Sequence, residues 1–478
     1  MKLTFDVESK PKFGQLIVFA FQQLLAIMAA TIAVPAIING NAGLAGTDQM
    51  SQAAALFGAG VGTIVYLLFT KFKSPVFLGS SFAFLGSMTA AFAGAATVSL
   101  GYLGLIIGAA FAGLVYVIIA IVVKFAGTRW IEKLMPAVVI GPTVAIIGLS
   151  LAGNAVGDLQ TANAGGSVYV AIVCGIVTLA VTMISASYGK KMIKLIPFII
   201  GILAGYVVAL VFTLIGTATG NVDLKVIDFS AFQNLTIFSV PEFTFLKAFG
   251  AFGELNGSYI VSIAVAYAPV AFVVFAEHIA DHKNLSSIIN RDLLKEPGLH
   301  RTLLGDGVGS IAGALFGGCP NTTYGESVGC VAITGNASVT TIICTAILAI
   351  LISFFTPFIA FLKTIPSCVM GGVCMALYGF IAVSGLKMVQ KVNLEKNKNM
   401  FVVSVILIAG IGGLKLVFGE ITITAIACAL ILGILANLML AKSDKDDTPA
   451  EGGEAETAET TETTETAETE TQTTSEEK

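Results

Sequence analysis

The sequence has few charged residues. Only 12% of its 478 residues are Asp, Glu, Lys or Arg, about half the share found in soluble domains. There are three histidines and one tryptophan. So few charges exclude an ordinary water-facing surface, and we expect no nucleic-acid partner.

The seven cysteines are not paired. They lie singly in apolar stretches, without the spacing of a metal site or of a secreted disulfide framework, at Cys174, Cys319, Cys330, Cys344, Cys368, Cys374 and Cys428. We expect small core residues, no metal and no cofactor. The N-terminus, MKLTFDVESKPKFG, lacks the apolar stretch and cleavage site of a signal peptide. The first membrane helix should therefore remain in the mature protein.

Apolar residues make up 56% of the chain. Twelve continuous apolar runs are each long enough to cross a hydrocarbon core of about 30 Å. They lie near residues 13–36, 51–70, 101–124, 135–153, 167–187, 195–216, 256–281, 300–318, 337–362, 366–388, 400–416 and 420–441. Two shorter segments, at about 75–91 and 319–334, are rich in Gly, Pro, Ser and Thr, and they raise the count to fourteen.

The distribution of basic residues supports fourteen crossings. Lys and Arg gather in cytoplasmic loops, and fourteen segments with both termini inside place 22 of the 26 basic residues there. The exceptions are Lys225, Lys247, Lys363 and Lys415. Twelve crossings would disrupt this distribution.

Residues after the last run have a different composition. Positions 443–478 hold 13 of the 30 acidic residues but only 2 of the 26 basic ones. Almost no large apolar side chain is present in this Glu/Thr/Ala repetition, so we predict a disordered acidic tail. An acidic interaction arm is the alternative.

The two short segments are the third and the tenth. Each is third in a group of seven, and two homologous halves of seven spans must have opposite orientations in the membrane. The predicted fold is therefore an all-α polytopic membrane protein of two inverted seven-segment repeats. Each short segment holds a proline followed by β-branched, aromatic or hydroxyl residues. This pattern predicts short extended strands that face one another, since lipid offers no partners for their backbone groups. The alternative is two re-entrant loops without a ligand.

Three acidic residues in or near the ends of predicted spans are expected to face a real energetic penalty: Glu277, Asp306 and Glu326. An ionised carboxylate at the bilayer centre costs about 2.5 kcal/mol or more, so such groups usually face a cavity and have a function. A carboxylate accepts N–H hydrogen bonds from a polar heterocycle. Two carboxylates at one site repel each other, which favours retention of a proton. The alternative is that the glutamates are buried structural acids, and for Asp306 a turn or packing role is equally plausible.

The sequence also suggests roles for several other polar residues. Asp281 lies four residues after Glu277 and shares its helix face, which makes it a candidate proton relay, whereas His278 points away. We expect His282 and His300 to be interfacial. Gln22 and Gln23 either line the cavity or pin one helix to another.

The residues carry a resemblance to a known family. The chain resembles the nucleobase-ascorbate transporter family, and within it the bacterial uracil permeases, from residue 10 to about 441. The most specific stretches are GSSFAF at 79–84, AEH at 276–278, RDLLKEPGLHR at 291–301 and PNTTYGE at 320–326.

The resemblance implies a core domain of segments 1–4 and 8–11 and a gate domain of segments 5–7 and 12–14, with a homodimer formed through the gate. The implied divisions are a cytoplasmic N-terminus at 1–12, segments 1–5 at 13–153, gate segments 6–7 at 154–216, an extracellular connection at 217–255, core segments 8–11 at 256–362, gate segments 12–14 at 363–441 and the cytoplasmic tail at 442–478.

The resemblance also implies a binding site. Glu277 and Glu326 would hydrogen-bond a pyrimidine ring, and the backbone of Phe82 and Gly325 with the side chain of Tyr324 would complete the pocket. Members that carry purines tend to have Gln where Glu326 stands, which favours uracil. Independently of the resemblance, the carboxyl groups make Glu277, Asp281 and Glu326 the candidates for proton coupling.

Three positions depart from the family pattern. Gln22-Gln23 stands where many members have Gln-His, Ser327 where Asn is usual, and Asp281 where uracil permeases can have His. A histidine relay therefore cannot be transferred to this chain.

The predicted function is uracil import across the cytoplasmic membrane by proton symport, with elevator-like or rocking motion of core against gate. One alternative cargo is xanthine or uric acid. A second alternative is an anion transporter of the same fold, which two acidic residues at the site disfavour. An intramembrane enzyme is the least supported, because no metal pair or activated nucleophile converges in the spans.

Overall fold

A computed structural model of the chain describes residues 3–127, 130, 135–190, 192–233, 235–418 and 421–441. The acidic tail predicted at 442–478 lies outside the described residues.

Eight helices in the described part of the chain are long and apolar enough to cross a membrane. They are Phe13–Asn41, Gly46–Phe69, Val98–Ala126, Ala137–Leu159, Val168–Tyr188, Pro197–Thr219, Gly257–Ile289 and Ser367–Val389. Four shorter apolar helices are Phe82–Ala93, Val339–Ile352, Asn397–Ile411 and Ala425–Met439. Leu299–Gly317 and Gly325–Thr334 complete the series. Each of the fourteen predicted segments therefore contains a helix, and the all-α class is confirmed. The number of crossings stays a prediction.

Some predicted segment boundaries were wrong. Segment 11, expected as one span over 337–362, is broken into Val339–Ile352 and Thr356–Thr364, whose second residue is Pro357. Segment 8, expected to end at 281, continues to Ile289. Between segments 13 and 14, strand β3 (Leu416–Phe418) pairs antiparallel with strand β4 (Ile421–Ile423).

Side-chain caps fix where several helices begin. Thr97 Oγ1 accepts a hydrogen bond from the Leu100 amide at 3.2 Å, and Asn256 Oδ1 accepts one from the Tyr259 amide at 2.7 Å. The first amides of a helix have no intrahelical acceptor, and a cap satisfies one of them. These two caps define the starts of segments 4 and 8.

Packing between segments repeats with a shift of seven. Segment 2 packs on segment 9, and segment 5 on segment 12. The contact between segments 4 and 9 corresponds to that between segments 11 and 2. In the same way, the contact of segments 8 and 4 corresponds to that of segments 1 and 11, and the contact of segments 6 and 7 to that of segments 13 and 14. Exchanging each segment with the one seven places away reproduces these contacts, which is consistent with the predicted inverted repeat.

Glycines allow the symmetric pairs to approach closely. A Cβ at Gly62 would lie 2.8 Å from the Gly309 carbonyl oxygen, and a Cβ at Gly309 would lie 2.8 Å from that of Gly62. On the segment 5 and 12 pair, a Cβ at Gly385 would lie 2.5 Å from the Gly141 oxygen. Small residues at such crossings permit backbone contact between membrane helices.

The two broken segments pair with one another. Strand β1 (Leu78–Ser80) runs antiparallel to β2 (Asn321–Thr323), and Gly79 lies opposite Thr322 at the centre. Every residue of both strands is buried. A helix follows each strand, so segments 3 and 10 each consist of an extended stretch and a half-helix.

Candidate functional site

A cavity of about 450 Å³ opens beside the paired strands. Segments 1, 3, 8 and 10 form one wall, and segments 5, 7 and 12 form the other. The six residues that the sequence singled out for substrate or proton binding all line it: Phe82, Glu277, Asp281, Tyr324, Gly325 and Glu326. The structure thus brings these residues together, and their roles stay predictions.

The strand pair extends one residue beyond its ladder at each end. The Ser81 amide donates to the Pro320 carbonyl at 2.9 Å, and the Tyr324 amide donates to the Phe77 carbonyl at 3.3 Å. These bonds satisfy backbone groups that lipid could not. They also fix the points at which the two half-helices begin.

Hydroxyl side chains satisfy backbone groups on the outer edges of the strands. The Leu78 amide donates to Thr63 Oγ1 at 2.9 Å. On the other strand, Ser310 Oγ donates to the Asn321 carbonyl. Thr63 lies on segment 2 and Ser310 on segment 9, so the two halves of the chain use equivalent helices for the same purpose.

Ser327 performs a similar role and also connects segment 1. Its Oγ accepts hydrogen bonds from the Phe77 amide at 3.0 Å and from Gln23 Nε2 at 2.6 Å. Gln23 therefore pins segment 1 to the half-helix of segment 10, which is one of the two roles considered for it. Gln22 Oε1 has no partner among the described residues, and neither glutamine lines the cavity.

Both half-helices begin at the cavity. Phe82 opens a short 3₁₀ turn that leads into Leu85–Ala93, and Gly325 opens Gly325–Thr334. The first N–H groups of a helix lack intrahelical acceptors, and they form the positive end of its dipole. Two sets of hydrogen-bond donors therefore converge on the cavity from opposite halves of the chain.

Three carboxyl groups face the same space. Glu277 and Asp281 are one turn apart on segment 8, and Glu326 lies in the first turn of the segment 10 half-helix. Asp281 Oδ2 accepts a hydrogen bond from Thr323 Oγ1 at 3.3 Å. That bond ties segment 8 to β2, so Asp281 lies beside the strands as well as within the cavity.

Tyr324 contributes its ring to the cavity but not a free hydroxyl. Its Oη donates to the Ser80 carbonyl at 2.6 Å. Gly79 is in contact with the ring, and any Cβ at position 79 would overlap it. The hydroxyl is thus engaged by β1, and only the ring is available to a ligand.

A buried group of three polar residues lies behind the cavity wall. His278 Nδ1 is 2.7 Å from Asp306 Oδ2, and His278 Nε2 is 2.9 Å from Thr302 Oγ1. All three residues are fully buried. His278 points away from the cavity, as its position beside Glu277 predicted. Asp306 lies inside helix Leu299–Gly317, so the turn considered for it is wrong, and it joins segment 9 to segment 8.

The side chain of His282, which the sequence predicted to be interfacial, is fully buried within the protein. Segment 8 continues beyond it to Ile289. Nδ1 is 2.8 Å from the His278 carbonyl, which can only accept, so Nδ1 carries the proton. In the neutral ring Nε2 then accepts from Tyr66 Oη at 2.7 Å, and Ser74 Oγ donates to Tyr66 Oη at 2.7 Å. His300 is partly exposed at the start of segment 9.

Sequence spacing contained a signal for this network. Positions 277 and 281 share one face of segment 8, and positions 278 and 282 share the adjacent face. The first pair faces the cavity and the second pair faces the bundle. One face of segment 8 therefore presents polar residues to the cavity, and the adjacent face presents polar residues to a buried hydrogen-bond network. Within the described residues, no group of three His, Cys, Asp or Glu could hold a metal ion.

A second cavity of about 390 Å³ lies on the other side of Phe82 and Ile147, which line both cavities. The Phe82 ring meets the Tyr378 ring edge-on, with centroids 6.0 Å apart. Lys415 and Thr424 line the second cavity, and Lys194 and Met388 line the first. A thin apolar partition therefore separates the two spaces.

Comparison with known proteins identifies relatives over most of the chain. The model of a family described as "Permease family" matches residues 14–418. The chain is 38% identical to a uracil permease of Bacillus subtilis, over 94% of this chain and 98% of that protein. It is 37% identical to a uracil permease of Bacillus caldolyticus, over 92% and 95% of the two chains.

Among solved structures, the chain is similar to the transmembrane domain of a cyanobacterial bicarbonate transporter, BicA. The TM-score is 0.59 at 15% identity, and the match covers 91% of this chain and all of that one. At this identity the likeness extends to the fold alone.

We predict that Ser327→Ala lowers thermal stability. The change leaves the Phe77 amide and the Gln23 amide without their acceptor, and an unsatisfied buried group costs about 1–3 kcal/mol. The melting temperature of purified protein should fall by several degrees. Ser150→Ala is the matched control, since Ser150 donates within its own helix to the Ile147 carbonyl. Equal melting temperatures for the two variants would contradict this role of Ser327.

Proposed function

This chain belongs to the Permease family, and we propose that it imports uracil across the cytoplasmic membrane by proton symport. It is a multi-pass membrane protein, and the two Bacillus relatives that match almost the whole chain are named uracil permeases. The observation that carries the proposal is one cavity that combines two glutamates with the N-termini of two half-helices.

This combination matches the hydrogen-bonding groups of uracil. The ring has two N–H donors and two carbonyl acceptors. In the proposed complex Glu277 and Glu326 accept the two N–H bonds, and backbone amides at Phe82 and Gly325 donate to the carbonyl oxygens. The Tyr324 ring forms a wall of the site. Charge-assisted bonds of this kind are about twice as strong as neutral ones.

Proton coupling is proposed from the three carboxyl groups. Glu277, Asp281 and Glu326 share one cavity. Like charges in one cavity repel each other. At least one of the three carboxyl groups therefore holds a proton, whether or not substrate is bound. Binding and release of that proton, coupled to uracil, would give symport.

The proposed transport cycle moves segments 1–4 and 8–11 against segments 5–7 and 12–14. The cavity is bounded by both sets, and Lys194 at its edge belongs to a connection predicted to be cytoplasmic. The described conformation would then be open to the cytoplasm. The partition at Phe82 and Ile147 would close the outer path. Both termini would be cytoplasmic, with a homodimer formed through segments 5–7 and 12–14.

Two other cargoes are alternatives. Xanthine or uric acid would fit the same fold, and competition by these bases against uracil distinguishes them. An anion is disfavoured because Glu277 and Glu326 would repel it, and the likeness to a bicarbonate transporter concerns the fold alone. We propose no enzymatic activity.

The direct test of function is uptake of radiolabelled uracil into membrane vesicles. With the proton gradient directed along import, accumulation should exceed the equilibrium level, and a protonophore should abolish the excess. Uptake of similar size with and without the gradient would remove proton coupling from the proposal. Absence of saturable uracil uptake would remove uracil itself.

We predict that Glu277→Ala and Glu326→Ala each abolish measurable uracil binding to the purified protein. Each variant loses a charge-assisted hydrogen bond of about 1.5–3 kcal/mol and leaves a uracil N–H unpaired. Titration calorimetry measures the affinity. Glu395→Ala, at an exposed loop position, is the control for loss of one carboxylate. Near-normal affinity in either cavity variant would contradict the site.

Asp281→Asn tests the proton relay. The amide oxygen can still accept from Thr323, so the local structure is retained, but the position no longer titrates. We expect a changed pH profile of uracil uptake. A profile that superimposes on the wild-type profile would exclude Asp281 from coupling.

A further inference from the structure

The N-terminal residues 4–9 lie against the end of the half-helix that carries Glu326. The amides of Thr4 and Phe5 donate to the Gly335 carbonyl at 2.8 and 3.2 Å. The amide of Ala337 donates back to the Phe5 carbonyl at 2.8 Å. Gly335 directly follows helix Gly325–Thr334 and caps its C-terminal end. Residues 4–9, called the clasp below, thus pair with the turn between segments 10 and 11.

Two further bonds secure the clasp to the start of segment 11. The Val339 amide donates to the Val7 carbonyl at 3.0 Å, and Ser338 Oγ donates to the Ser9 carbonyl at 2.6 Å. Val7 is 1% exposed and belongs to the same buried cluster as Leu285 and Ile289 of segment 8. A chain terminus is usually poorly ordered unless it is tied down in this way.

Arg291 connects the clasp to the end of segment 8. Its Nη2 is 2.6 Å from Asp6 Oδ2, and its Nη1 is 3.3 Å from Glu8 Oε1. Partial burial alone would raise the pKa of Asp6, but bonds from the Val7 amide and Arg291 outweigh it and hold the pKa below its usual value. Asp6 is therefore charged at neutral pH, and one guanidinium holds two acids of the clasp.

The clasp meets the ends of both helices that bear the site's glutamates. Segment 8 carries Glu277 and ends at Ile289, two residues before Arg291. The segment 10 half-helix carries Glu326 in its first turn and is only about 15 Å long. Strand β2 fixes its first turn, and a short rod fixed at one end can still tilt. The clasp fixes the other end, and it does so relative to segment 8.

We propose that the clasp sets the separation of Glu277 and Glu326 and thereby the affinity of the cavity for its substrate. The residues of the clasp are positioning residues, since they lie outside the cavity. This inference rests on the proposed function for the identity of the substrate, but not for the mechanical link between clasp and half-helix.

A charge exchange tests the clasp. Arg291→Glu should break both ion pairs and repel the clasp, and the triple variant Asp6→Arg, Glu8→Arg, Arg291→Glu should restore them with reversed sign. We expect Arg291→Glu to raise the KM for uracil uptake about tenfold, or roughly 1.4 kcal/mol. Maximal uptake per transporter should stay near wild type, and the triple variant should recover most of the affinity. Lys10→Glu, a reversal one residue beyond the clasp, is the matched control.

Hydrogen exchange of the purified full-length variants gives a readout that does not depend on the substrate. Amides of residues 325–335 should exchange faster in Arg291→Glu than in Lys10→Glu, and the triple variant should reverse the change. An unchanged KM, a loss of maximal uptake alone, or unchanged exchange at 325–335 would each overturn the proposal. If wild-type vesicles take up no uracil, the proposed function fails, and the exchange data alone decide the mechanical link.

Discussion

The structure depends on how two short stretches of non-helical backbone are satisfied inside an apolar bundle. Each unsatisfied N–H or C=O away from water costs several kcal/mol. Strands β1 and β2 satisfy each other in antiparallel pairing, and hydroxyl groups of Thr63, Ser310 and Ser327 satisfy backbone groups beside the ladder. The pairing ends where each half-helix begins. The same constraint that stabilises the fold therefore directs two helix N-termini to one cavity.

Close packing of the two halves makes this pairing possible. Segments 2 and 9 cross where Gly62 and Gly309 face each other, and a Cβ on Gly62 would also lie 2.7 Å from Asn321 Nδ2. The space left by glycine holds the Asn321 side chain, which donates to the Gly58 carbonyl at 2.9 Å. The glycines thus admit a polar side chain that ties β2 to segment 2. Larger residues at these positions would separate the halves and the strands with them.

Much of this arrangement could be predicted from the sequence, because apolar length and misplaced charge are strong signals in a membrane protein. The broken segments 3 and 10, the acids at 277 and 326, and the shared face of 277 and 281 were all readable. The extent of segment 8 was not, because its last turns are polar, and neither was the burial of His282. The bond between the Tyr324 hydroxyl and Ser80 could not be read either, since it depends on how the two halves meet. Residues 4–9 hold only two apolar residues, Phe5 and Val7, between polar ones, and so short an alternation does not identify a partner, so only their contacts reveal the clasp.

The central claim is that substrate lies between the two half-helix N-termini and is held by one glutamate from segment 8 and one from segment 10. An experimental structure of the protein with bound uracil tests it most directly. The account predicts ligand density beside Phe82 and Gly325, with its two N–H groups within hydrogen-bonding distance of Glu277 and Glu326. Density confined to the cavity beyond Phe82 and Ile147, or a ligand that contacts neither glutamate, would contradict it.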